Sequence, residues 1–154
     1  MKTRATFALP AALLLLCAHA FAGTCEDGAE KALPTDAVTY VQKHKVLESV
    51  DGPTSVEDTV RLWRRDEDSL CFAVDTVHTY MHLCSLSGQA KRIRSNVYGF
   101  SDENCKVEIE VTPKQVSLRV TDPTDSKRGL CNPSEAFGCG ANTAIESGAF
   151  GRKP

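Results

Sequence analysis

The sequence predicts a mainly β protein: a small antiparallel barrel or meander, stabilised by disulfides, with room for one helix near the N-terminus. Three observations carry this. In "CKVEIEVTPKQVSLRV", Val107, Ile109 and Val111 alternate with Lys106, Glu108 and Glu110, and Val116, Leu118 and Val120 alternate with Ser117 and Arg119 after "TPKQ". Such period-two alternation across a short link is a hairpin with one buried and one wet face. "SLCFAVDTVHTYMHLCSLSG" is rich in β-branched and aromatic residues up to Gly88. Six cysteines follow an export leader, an even set that reads as disulfides.

Taken in order, residues 1–22 have the form of a secretory leader. Lys2 and Arg4 precede an apolar run through Leu16, and Ala20-Phe21-Ala22 matches an A-x-A cleavage site. The run is too short to span a bilayer. Leu16 and Thr24 precede Cys17 and Cys25, where a lipid-anchored form needs a small residue, so a soluble periplasmic or secreted protein is expected. Residues 23–55 form an N-terminal extension. Within it "TDAVTYVQKHKVLESV" fits a helix capped by Thr35 or Asp36, with Val38, Val41 and Lys45 on one stripe, and also fits a strand at 37–41. "DGPTS" then opens the β domain at 56–154. There "VRLW" can begin the sheet, residues 69–88 make two strands with a turn near Val77–Tyr80 or else one long strand, and "NVYGF" adds a short strand. From "DPTDSKRG" onward Pro, Gly, Asp and Ser predict loops pinned by Cys131 and Cys139.

Removing 22 residues from 154 leaves 132, enough for one domain with a modest core. Two of the 18 basic residues and none of the 20 acidic ones lie in the leader, so the exported chain carries −4. That balance does not favour a general nucleic-acid or anionic-membrane binder. Cys25, Cys71, Cys84, Cys105, Cys131 and Cys139 are read as three disulfides of open connectivity. With no C-x-x-C pair, a thioredoxin-like redox site or zinc knuckle is not expected.

Several groups invite a catalytic reading, and each has a plainer one. His78 and His82 have zinc-like spacing only on a helix, and their surroundings favour a strand. Asp75, His78 and a serine could be written as a triad, but no G-x-S-x-G turn supplies a nucleophile. "FGCGAN" lacks the strand-to-helix context of a phosphate cradle. No enzyme activity, metal or cofactor is therefore expected. Two Ser-Gly steps beside cations remain: Ser87-Gly88 with Lys91, and Ser147-Gly148 with Phe150, Arg152 and Lys153. A small hydroxyl and a cation on a tight turn could enter a carboxylate-lined cleft through charge-assisted hydrogen bonds, with the aromatic as anchor.

The leader, the small disulfide-bearing β domain and "SGAF" together resemble the bacterial periplasmic lysozyme inhibitors. That resemblance implies a small β-barrel whose Ser-Gly-x-x-aromatic loop plugs the lysozyme cleft, with Ser147, Gly148 and Phe150 as the loop and Arg152 or Lys153 as its cation. Here the aromatic comes one residue early, and the family's second, "WTKG"-like motif has no counterpart, since Trp63 stands in "LWRRD". The expected function is a protein-binding module, an inhibitor of lysozyme or another cell-wall hydrolase. The alternative is a structural or small-ligand-binding module of the envelope.

Overall fold

A computed structural model describes Cys25, Cys139 and residues 34–49, 52–102, 105–121, 130–131 and 144–154. The expected leader and most of the extension up to residue 33 lie outside the described residues. The described chain forms ten strands: β1 (Val38–Ser49), β2 (Gly52–Arg64), β3 (Ser69–His78), β4 (His82–Arg94), β5 (Val97–Ser101), β6 (Lys106–Val111), β7 (Gln115–Thr121), β8 (Leu130–Cys131), β9 (Ile145–Glu146) and β10 (Gly148–Arg152).

Eight of them close into an antiparallel barrel. β1 to β7 follow one another in chain order, and β10 completes the ring by pairing with β7 on one side and β1 on the other. β8 and β9 pair only with each other, outside the ring. The expected barrel and the expected β6–β7 hairpin are both present, and "NVYGF" is β5.

Two expectations are corrected. The helix expected within residues 35–50 is not seen among the described residues: Val38–Ser49 is β1, paired residue by residue with β2 from Val38↔Leu62 onward. The stretch is dense in β-branched and aromatic residues, and Tyr40 and Val46 turn into the barrel on even positions. A helical stripe would instead gather on one face Val38, Val41 and Lys45, which the sheet divides between opposite faces. The division at residue 55 therefore falls inside β2. The second correction concerns the stretch expected to be loops, whose last part, Gly148–Arg152, is the closing strand.

An eight-strand ring leaves an interior that side chains can just fill. Val60, Phe72, Val74, Leu86, Val107, Ile109, Val116 and Val120 fill it, each no more than 1 % exposed. Phe72 meets Phe100 edge-to-face at 5.1 Å. Gly88, opposite Phe72 in the register, makes that meeting possible. A Cβ there would lie 2.7 Å from Phe100 Cε2. This glycine serves a close approach, not a turn.

Disulfides join Cys25 to Cys71 on β3, and Cys139 to Cys84 on β4. Cys105, fully buried before β6, is disulfide-bonded too. The Cys131 side chain lies outside the described residues. Bonds of this kind stabilise by about 2–4 kcal/mol each and persist in oxidising compartments outside the cytoplasm. No helix among the described residues is long and apolar enough to cross a membrane.

Because Gly88 has no slack, Gly88→Ala should destabilise the barrel by about 1–3 kcal/mol, as overpacking does. Urea unfolding would read this as a lower midpoint at unchanged slope.

Candidate functional site

The strands alternate in direction, so the barrel has two chemically distinct ends. At the near end lie the start of β1, the β2–β3, β4–β5 and β6–β7 turns, and Lys153. At the far end lie the β1–β2 and β3–β4 turns and the entry to β10.

The residues singled out in the sequence do not converge on one loop. Ser87 and Gly88 sit in the middle of β4, facing Ala73 and Phe72 of β3. Lys91 is exposed towards the near end, on the strand whose Arg92 stacks its guanidinium 5.4 Å from the Tyr98 ring centroid. Ser147 is at the far end, and five residues of extended chain put Arg152 about 16 Å away at the near end.

"SGAFGRK" is strand β10 with one residue on either side. Ser147 Oγ accepts from the Val120 N–H at 2.9 Å and donates to the Val120 carbonyl at 3.4 Å, so the hydroxyl continues the β7–β10 ladder. Phe150 is 2 % exposed and points into the core. Arg152 donates to the Pro113 carbonyl. Lys153 Nζ bonds Glu57 Oε1 at 2.9 Å, tying the end of β10 to β2.

What the far end does assemble is a polar pocket of about 320 Å³, lined by residues of β1, β2, β3 and the entry to β10. His44 Nε2 lies 3.1 Å from Asp58 Oδ1, too poorly aligned for a full hydrogen bond, so this buried nitrogen keeps unused bonding capacity. Asp58 also accepts the Val77 N–H at 2.8 Å. Thr76 Oγ1 donates its one hydrogen to the Cys84 carbonyl, which leaves His78 Nε2, 3.0 Å away, as the donor to that hydroxyl. His78 is thus held with its protonated Nε2 on Thr76. Glu146 and Lys45 line the same pocket and add one charge of each sign.

This geometry separates the groups of the paper triad. Asp75 faces outward, bonded to Arg61 and to Ser85 Oγ, while His78 faces the pocket. His82 pairs opposite His78 in the register and is exposed. Among the described residues no three His, Cys, Asp or Glu side chains gather as a metal site.

Beside the pocket the β3–β4 turn carries an apolar group that the sequence reading missed. Thr79–Met81 forms the turn and reaches across to touch β1. Tyr80 and Met81 both have positive φ, at 60° and 58°. Tyr80 is 65 % exposed, and Met81, Leu83 and Leu47 stand exposed at the same end. Among the described residues, Ile93 in the β4–β5 bulge is the one further exposed large hydrophobic. A signal was available: a predicted hairpin turn reading "TYM" holds none of the Gly, Asn, Asp or Pro residues that turns normally use.

Compared with known proteins, the chain matches no family model, no curated protein and no solved structure.

Two outcomes follow from where Ser147 and Lys153 sit. Ser147→Ala should cost about 1–2 kcal/mol, because the Val120 N–H loses its partner, and thermal or urea unfolding of the variant measures it. The hydrogen bond from Lys153 is the main reason the Glu57 carboxyl is held below its ordinary 4.5; the charges of Lys153 and Lys43 add to this and slight desolvation opposes it. A lowered folded value means the bond's contribution is present above 4.5 and fades as pH falls through the folded value. Lys153→Ala should therefore lower the melting temperature at neutral pH, and the gap to the parent should narrow as pH falls below 4.5.

Proposed function

We propose that the protein is an exported binding module that engages a partner protein through the far end of its barrel. The partner class that the resemblance names is a cell-wall hydrolase such as lysozyme, and the reading assigns the chain no catalysis of its own. The periplasm or the extracellular space is the setting that the leader and the disulfides together favour.

The observation that carries this is the backbone of the β3–β4 turn. Positive φ at a bulky residue costs about 1–3 kcal/mol per position and persists where something else over-determines it. Here two consecutive bulky residues adopt it, and the result is a tyrosine ring and a thioether projected from the protein. Exposed Tyr is a frequent binding hot spot, and Met adapts its shape to a partner surface. The polar pocket alongside, with His44 Nε2 unsatisfied, can take a polar side chain from the same partner. With the ring closed by β10, side chains on a turn are a natural means of recognition.

The route differs from the one the resemblance implies. Ser147 and Phe150 would support the barrel, and Tyr80, Met81 and Leu83 would make the contact.

Replacing Tyr80→Asn and Met81→Gly together separates stability from binding. Asn-Gly suits positive φ at both positions, so the variant should be as stable as the parent or up to about 1 kcal/mol more so. Inhibition of a panel of lysozymes, measured by clearing of cell-wall suspensions, should be present in the parent at modest molar excess and lost in the variant. A parent that slows none of them, or a variant that inhibits equally well, would sink the proposal.

A further inference from the structure

We propose that the near end of the barrel is a binding site for a small aromatic or branched-chain carboxylate. The site is separate from the far-end surface and stands whether or not that surface binds a protein.

The packed interior stops short of the near end. Beyond Val60 and Phe72 the inward-facing residues of β1, β2, β3, β5 and β6 surround a cavity of about 340 Å³. That is the low end of the roughly 300–1,000 Å³ typical of small-molecule sites. Tyr40, Leu62, Leu70 and Tyr98 form its apolar walls. Three of these are under 8 % exposed, so the walls are fixed by the core behind them. Tyr40 is held further by its hydroxyl, which reaches the Thr112 carbonyl at 3.5 Å. Tyr98 is held by the Arg92 guanidinium over its ring. A rigid apolar slot flanked by two aromatic rings favours a flat or branched apolar body.

The rim sets the charge of the ligand. Arg64 lines the cavity and spends only its Nε–H, on the Asp66 carbonyl. Its two terminal nitrogens have no carboxylate partner among the described residues, and they present the fork that binds a carboxylate bidentately. Tyr98 brings a hydroxyl that makes no hydrogen bond among the described residues. Asp36 is the one carboxylate of the lining. The β2–β3 turn at the same mouth adds Asp66, Glu67 and Asp68, of which Asp66 is bonded to Ser69 and Asp68 is paired with Arg92. Against these, Arg94 at the end of β4, Lys114 on the β6–β7 turn and Arg152 at the end of β10 stand exposed. The barrel thus gathers cations that the sequence holds far apart, and the balance around the mouth favours an anionic head on an apolar body.

The test uses the oxidised, ¹⁵N-labelled protein titrated with indole-3-acetate and, separately, with neutral indole. Amide shifts should concentrate on the near-end strands and saturate, and indole-3-acetate should bind at least about tenfold more tightly than indole. Arg64→Gln, at an exposed position, should fold normally and weaken indole-3-acetate by about the same factor. Asp36→Asn should bind it as well as the parent or better, because a like charge is removed. The assignment is overturned by any of three results: no saturable near-end shifts up to about 10 mM, equal affinity for the two probes, or an Arg64→Gln variant that binds like the parent.

Discussion

β10 pairs with β7 along one side and with Tyr40 and Val41 of β1 along the other, and in doing so closes the ring that a seven-strand sheet would leave open. Everything else in the structure depends on that closure. It gives the interior a fixed girth, which Phe150 and the inward residues of its neighbours then fill. It also explains why Ser147 is used as it is. Entry into β10 must be aligned to the end of β7, and the hydroxyl takes over the Val120 backbone groups where regular pairing has not yet begun.

Closure also makes the two mouths different in kind. Inward positions in the middle of the barrel have to be apolar, but those near an end are free to vary. At the far end Gln42, His44, Asp58, Thr76 and His78 occupy inward positions and form a polar basin. At the near end Tyr40, Leu62, Leu70 and Tyr98 do so, and the charges stand on the rim instead. One scaffold therefore presents two chemistries, separated by a packed core.

How much of this the sequence disclosed follows from the same geometry. The β6–β7 hairpin was legible because its inward residues are all aliphatic and its outward ones mostly polar. β1 was ambiguous because Gln42 and His44 face a wet pocket and interrupt the apolar alternation just where it would have identified a strand. β10 was hidden for a different reason. With glycines at 148 and 151 and a single inward aromatic, its local preference is for loops, and the two long-range ladders override that preference. The Ser-Gly steps misled because glycine ordinarily signals a turn, whereas Gly88 answers a space demand from Phe100, a residue distant in sequence. The apolar group at Tyr80–Leu83 was visible as residues, but which of them would be exposed depends on the turn conformation.

The place of β10 in chain order has a kinetic side. The pairing of Tyr40 with Arg152 joins the first strand of the ring to its last in chain order and so has the longest sequence separation of the ring's strand pairs. Loop-closure entropy makes such contacts slow to form. Until they do, β1 and β7 present unpaired edges able to recruit strands from other chains. The Cys84–Cys139 link shortens the effective tether to the closing strand. Oxidation would then set the refolding rate and the yield of monomer as well as the final stability, and chains refolded while reduced would be the ones prone to aggregate.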